Sequence, residues 1–283
     1  MLKELVRALL LASVPLAAQQ RWQTLPPTPA PVAGEQKHYA EVNGIRLFYA
    51  TLPAADGGHS TPVVLLHGGL ANSDYWGNQV RALHPHHSVI LVDSRGHGRS
   101  TRSAQPFGYD LMADDVVALL DSLHIPQADI VGWSDGAILG IDLALRHPSR
   151  VRRVFAFAAN VTTDGVRKDV DKNPNFAAFM RRGGEEYRRL SPTPTEYDAF
   201  TEQISHMWFS QPDWTAAQLA TIHTPVLAAD GDHDEGIVQG HTEKIAAMIP
   251  NASLLILPNA SHFAFLQAPT LFNTALLDFL DRP

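Results

Sequence analysis

Cysteine is absent from all 283 residues, which excludes a disulfide framework and any cysteine-ligated metal site. Positive charge is in short supply: 22 basic residues face 29 acidic ones, giving a formal charge of −7. Nucleic-acid binders carry a basic face, so no nucleic-acid partner is expected. No apolar run reaches the roughly 20 residues that a membrane-spanning helix needs, so no stable membrane anchor is expected either. Hydrophobic residues are plentiful at 45%, which excludes a disordered chain and supplies one large core.

The N-terminus has the layout of a secretory signal. Lys3 and Arg7 precede the apolar stretch Ala8 to Ala18, which ends in small residues. Glu4 in the positive region and Leu16 three residues before the cleavage point depart from the pattern. Residues 1–18 are therefore read as a signal peptide and the protein as exported, periplasmic or secreted. The alternative is an ordinary N-terminal helix on a cytoplasmic protein. Residues 19–36 contain Leu25-Pro26-Pro27-Thr28-Pro29-Ala30-Pro31, read as an extended linker that does not dock on the domain. The folded domain is expected over 37–283.

Within it, His38 to Thr51 reads as a hairpin about Asn43-Gly44, a pair suited to a tight type I′ turn. Short apolar runs then alternate with amphipathic stretches. The runs are Pro62–Leu66, Ser88–Val92, Ala128–Val131, Val151–Phe157, Pro225–Ala229 and Ala252–Leu257. Runs apolar on both faces fit central strands of a parallel sheet covered by helices. Tyr109 to Leu123 places Leu111, Val116, Leu119, Leu120 and Leu123 on one helical stripe. Strands alternating with helices give an α/β fold. The alternation lapses over 159–222, where helical segments around Phe176–Met180 and Glu196–Trp208 suggest a lid or cap.

The chemistry concentrates at strand ends. Gly132-Trp133-Ser134-Asp135-Gly136 lies between a strand and a helix, a sharp turn that exposes the serine oxygen. Ser134 is the candidate nucleophile; the bland alternative is a helix N-cap. A serine hydroxyl needs a base, and in this fold type the partners follow in the order nucleophile, acid, histidine. Asp230-Gly231-Asp232-His233-Asp234-Glu235 follows one late strand, and Pro258-Asn259-Ala260-Ser261-His262-Phe263 follows the last. His262 is the candidate base. Asp234 is the preferred acid, three residues past Gly231, with Asp232 and Glu235 as alternatives. His233 and His241 beside these carboxylates could instead bind a metal, although no tight ligand spacing occurs and none is expected. His84, His86, His87, His97 and His147 are read as solvated or structural. After Pro62–Leu66, the small residues of His67-Gly68-Gly69 admit a substrate oxygen, so the backbone N–H groups of Gly69 and Asp135 are the candidate oxyanion hole. Leu70, Trp133, Trp208, Phe209 and Phe263 are candidates for an apolar substrate pocket, or else core.

Three blocks resemble the α/β-hydrolase superfamily: His67-Gly68-Gly69, Asp93-Ser94-Arg95-Gly96-His97-Gly98-Arg99-Ser100 and Gly132-Trp133-Ser134-Asp135-Gly136. The resemblance runs from about Lys37 to the C-terminus. It implies a mostly parallel eight-stranded sheet flanked by helices, with a helical lid, a Ser-His-Asp triad and no cofactor. The Asp93–Ser100 block looks like the family's structural loop. The Gly-Trp-Ser-Asp-Gly turn is similar to that of valacyclovir-hydrolase-like and enol-lactonase-like esterases. Leu70 and Ala71 replace the Pro-Gly of proline iminopeptidases, and Ser134 replaces the aspartate nucleophile of dehalogenases and epoxide hydrolases. The expected substrate is a small-molecule carboxylic ester or lactone. The alternatives are amide or C–C hydrolysis on the same triad, or a non-catalytic receptor on the same fold.

Overall fold

A computed structural model describes residues 20–58 and 61–282. The expected signal segment, 1–18, lies outside the described residues. The chain opens with a hairpin, β1 (Gln36–Val42) and β2 (Ile45–Leu52), in antiparallel register with Val42 opposite Ile45. Asn43 and Gly44 both have positive φ, 43° and 77°, which is the backbone a two-residue I′ turn requires. There follow β3 (Val63–Leu66), α1 (Gly77–Leu83), β4 (Val89–Val92), α2 (Tyr109–Ser122), β5 (Ala128–Trp133), α3 (Asp135–Arg146) and β6 (Val151–Phe157). An insertion of helices comes next: α4 (Pro174–Leu190), α5 (Tyr197–Ser210) and α6 (Ala216–Leu219). The chain closes with β7 (Val226–Gly231), α7 (His241–Met248), β8 (Ala252–Leu257), α8 (Ala264–Gln267) and α9 (Pro269–Leu280).

The eight strands form one sheet in the order β1-β2-β4-β3-β5-β6-β7-β8. Only β2 runs against the rest, because both of its pairings are antiparallel and the others from β4 onward are parallel. The central strands β3, β4 and β5 are buried along their whole length, as their unbroken apolar sequences require. β8 differs. As the edge strand it leaves Leu254 and Ile256 partly exposed.

The loop after β4 is locked from within. Asp93, fully buried, accepts from the backbone N–H groups of Ser73 and Arg99 and pairs with the Arg99 guanidinium. Arg95 and Asp115 form a buried bidentate pair at 2.7 Å. Removing one partner of such a pair typically costs about 3–5 kcal/mol, since a buried charge is left alone. This loop is structural, as the resemblance implied.

The proline-rich segment corrects its expectation. Residues 20–35 do not hang free but lie against the domain. Arg21 donates to the carbonyls of Pro258 and Asn259, and Arg182 of α4 donates to those of Leu25 and Pro26. Thr28 bonds Glu186 of α4, and Gln267 of α8 donates to the Thr24 carbonyl. An extended chain cannot satisfy its own carbonyls, so side chains of the domain do.

Candidate active site

Ser134 sits where β5 turns into α3, with φ 54° and ψ −120°. A non-glycine residue there carries strain of order 1–3 kcal/mol, held by its surroundings. The Ser134 N–H donates to the Phe157 carbonyl of β6, and the N–H groups of Ala137 and Ile138 donate back to the Ser134 carbonyl. A Cβ on Gly132 would overlap the Gly136 carbonyl, and one on Gly136 would overlap that of Leu66. Glycine is obligatory at both places. The Ser134 hydroxyl makes no capping bond to α3, so the N-cap alternative fails.

His262 stands in the loop after β8, with Asp234 in the loop after β7. Their side chains are each only 4% exposed. Nδ1 of His262 lies 2.9 Å and 3.1 Å from the two Asp234 oxygens. Asp234 also accepts from the N–H groups of Gly236 (2.6 Å) and Ile237 (2.7 Å). With an acceptor at Nδ1, the neutral ring carries its proton there and leaves Nε2 as the free base. Burial pushes Asp234 up to about 7 and His262 below its usual value. The neighbouring carboxylates of Glu235, Asp230 and Asp135 pull the imidazole back upward. The pair titrates jointly, as one dyad.

Asp232 and Glu235 take other roles. Asp232 is exposed and binds His233 and the Ala260 N–H. Glu235 is buried and accepts from the Ser261 hydroxyl and the His262 backbone N–H, so it fixes the histidine loop without touching the ring. Gln267 clasps Ser261 from the other side. His233 stacks on Trp22, while His241 accepts from the Val161 N–H. Among the described residues no group of three or more His, Asp and Glu side chains could hold a metal ion.

The loop after β3 meets the serine turn closely. A Cβ on Gly68 would lie 3.1 Å from the Ser134 Cβ. His67 spans the loop, donating from Nδ1 to the Gly68 carbonyl and accepting the Ser94 N–H at Nε2. Burial holds its pKa down, so it stays neutral and structural. Gly69 has the indole of Trp208 where a side chain would be. That indole donates to both oxygens of Asp135, at 3.0 and 2.9 Å, and Tyr109 adds a third bond at 3.0 Å.

A family model described as the α/β hydrolase fold matches residues 61–191. A putative carbamate hydrolase RutD from Caulobacter sp. (strain K31) is 31% identical over 255 residues, which is 81% of this chain and 92% of that protein. The chain belongs to the α/β-hydrolase superfamily. The pimeloyl-[acyl-carrier protein] methyl ester esterase of Nitrosospira multiformis is 29% identical to this hydrolase, over 78% of the chain and 95% of its own length. Among solved structures, Est816, titled an N-acyl homoserine lactone degrading enzyme, superposes with a TM-score of 0.67 at 26% identity, covering 86% of this chain and all of its own. The enol-lactonase of Burkholderia xenovorans LB400 shares the fold, with a TM-score of 0.69 at 24% identity over 87% of this chain and 100% of its own.

The apolar candidates divide. Leu70 is buried against Gly183 of α4. Trp133 and Phe263 are buried in an aromatic cluster with Phe179 that also touches the His262 ring. Trp208 reaches the serine turn. Phe209 does not join them: it is 86% exposed. Adjacent helical residues point about 100° apart, so seating Trp208 inward turns Phe209 out. Tyr109, Phe176 and Asp230 were not singled out by the sequence. Tyr109 opens α2 as an ordinary apolar position, and nothing local marks its hydroxyl as a partner of Asp135.

Proposed function

We propose that this hydrolase cleaves a carboxylic ester or lactone through an acyl-enzyme, with Ser134, His262 and Asp234 as its triad. The observation that carries the reading is the buried His262–Asp234 pair, set in the loops beside a strained serine turn. His262 Nε2 removes the Ser134 proton as the oxygen attacks the carbonyl, then returns it to the leaving alkoxide. Asp234 holds the imidazole in the required tautomer and stabilises its cation. The N–H groups of Gly69 and Asp135 take the oxyanion; losing one such donor typically costs about 3–4 kcal/mol. Water then attacks the acyl-enzyme by the same steps in reverse. Trp208 against Gly69 favours small or flat acyl groups, because the indole fills space beside the oxyanion donors. Carbamates, named for the RutD relative, present a similar carbonyl and belong in the same substrate screen.

A fluorophosphonate probe should label wild type and not Ser134→Ala, and hydrolysis of short-chain p-nitrophenyl esters should fall by at least about 10³-fold in that variant. Parallel assays on lactones, carbamates and matched amides rank the substrate classes. Absence of labelling in folded wild type would sink the reading and favour a receptor. Export is part of the proposal: a mature chain beginning near Gln19 keeps residues 20–35 whole. N-terminal sequencing of periplasmic or culture fractions should find that start, whereas intact Met1 in the cytosol would refute it.

A further inference from the structure

Three buried carboxyls crowd one imidazole. Asp234, Glu235 and Asp230 are all sequestered beside His262, and among the described residues none of the three has a lysine or arginine within ion-pair distance. Asp230 is the penultimate residue of β7, and its buried carboxyl lies beside that of Asp234. Two carboxyls crowded together out of water do not both ionise, so one of them keeps a proton. The partners say which group carries it. Asp234 accepts two backbone N–H groups and the imidazole, all fixed donors, and so is best served as the anion. Asp230 accepts the Gly231 N–H at one oxygen; at the other it meets the Thr242 hydroxyl at 2.8 Å, a group that can rotate. Glu235 is engaged as an acceptor by Ser261 and the His262 backbone.

We propose that Asp230 is a positioning residue of the triad: it remains protonated at neutral pH and donates a hydrogen bond to Asp234, which limits how strongly Asp234 holds a proton on His262. The inference rests on the hydrolase reading above. The groups facing Asp230 are Asp234 on the loop after β7, Thr242 on α7 and His262 after β8, with Glu235 beyond Asp234 and His262. A cavity of about 520 Å³ on the same side is lined by the further charged or titratable groups Arg167, Asp169, Lys172, Asp232, His233 and Glu243. Arg167 pairs with Asp169 and His233 with Asp232, and among the described residues Lys172 forms no ion pair with Asp230, Asp234 or Glu235. Burial, first, and the Asp234 charge, second, push Asp230 well above the usual carboxylate range, in keeping with the protonated form.

Without that donor, negative charge concentrates on Asp234 and the imidazolium is stabilised, so the low-pH limb of activity must move upward. The test compares wild type, Asp230→Asn and Asp230→Ala on p-nitrophenyl acetate. In Asp230→Asn the amide can still donate, and kcat/KM should keep its plateau within about threefold with the limb in place. In Asp230→Ala the limb should rise by about one pH unit and the plateau fall about tenfold. An unmoved limb in Asp230→Ala, whatever its plateau, would overturn the proposal, because a merely structural residue lowers the plateau alone. Infrared difference spectra at pH 7 need no activity and use only the conservative variant. Wild type minus Asp230→Asn should contain one protonated-carboxyl stretch, and its absence would overturn the proposal even if Asp230→Ala fails to fold. Loss of hydrolysis and labelling in wild type itself would instead remove the underlying reading.

Discussion

Asp135 carries two assignments at once, through different atoms. Its backbone N–H is a proposed oxyanion donor, while its carboxylate receives Trp208 and Tyr109. Burial raises that carboxyl from 3.8 to about 6, against the opposing hydrogen bonds of Trp208 and Tyr109 and the His262 charge. The sign of the stability effect follows. Between about pH 4 and 6 the folded protein holds a proton that the unfolded chain has released. The group therefore favours folding most below about pH 4, and its contribution declines as pH rises through 6. Two pH units correspond to about 3 kcal/mol. Asp135→Asn should thus gain stability relative to wild type between pH 4 and pH 7, by up to about 3 kcal/mol in urea unfolding. A difference that stays flat over that range would refute it.

At the scale of elements, two pieces hold the helical insertion on the sheet. Trp208 ties α5 to Asp135, the residue after Ser134. Trp208→Phe keeps an aromatic ring against Gly69 but removes the donor to a buried carboxylate, at a cost of about 1–3 kcal/mol. Hydrogen exchange over Tyr197–Ser210 should accelerate accordingly, and unchanged exchange would show that the bond does not restrain the helix. The second piece is the segment 20–35, which joins α4 to the histidine loop through Arg21, Thr28, Arg182 and Gln267. Several hydrogen bonds at about 1 kcal/mol each are at stake. A chain starting at Gln36 should lose about 3 kcal/mol of stability and expose α4 to limited proteolysis. Protease resistance equal to that of the longer chain would argue against the clamp.

Over the whole molecule, local pattern and long-range contact contributed differently. The sheet was readable because every strand apart from the N-terminal hairpin is a short, mostly apolar run between turn residues. Ser134, Asp234 and His262 were singled out because their strand-end loops keep chain order and short motifs, and the structure brings Asp234 and His262 together. Phe209 was misplaced because one residue of helical rotation separates a buried face from solvent, and composition cannot set that rotation. The linker was misread for a related reason. Its prolines fix an extended backbone, yet nothing in them says that Arg21, Arg182 and Gln267 will bond its residues or their neighbours.

The sequence by itself determined the fold, the serine turn and the candidate nucleophile and base, since each depends on hydrophobic period, glycine placement or order along the chain. Only the tertiary structure chose Asp234 over Asp232 and Glu235, set Asp230 behind it and placed Trp208 on Asp135. Those decisions rest on burial and on hydrogen bonds between residues far apart in sequence or crowded into one loop. Spacing does not encode a direction in space, and a carboxyl acquires its partner and its proton only once the surrounding chain has excluded water.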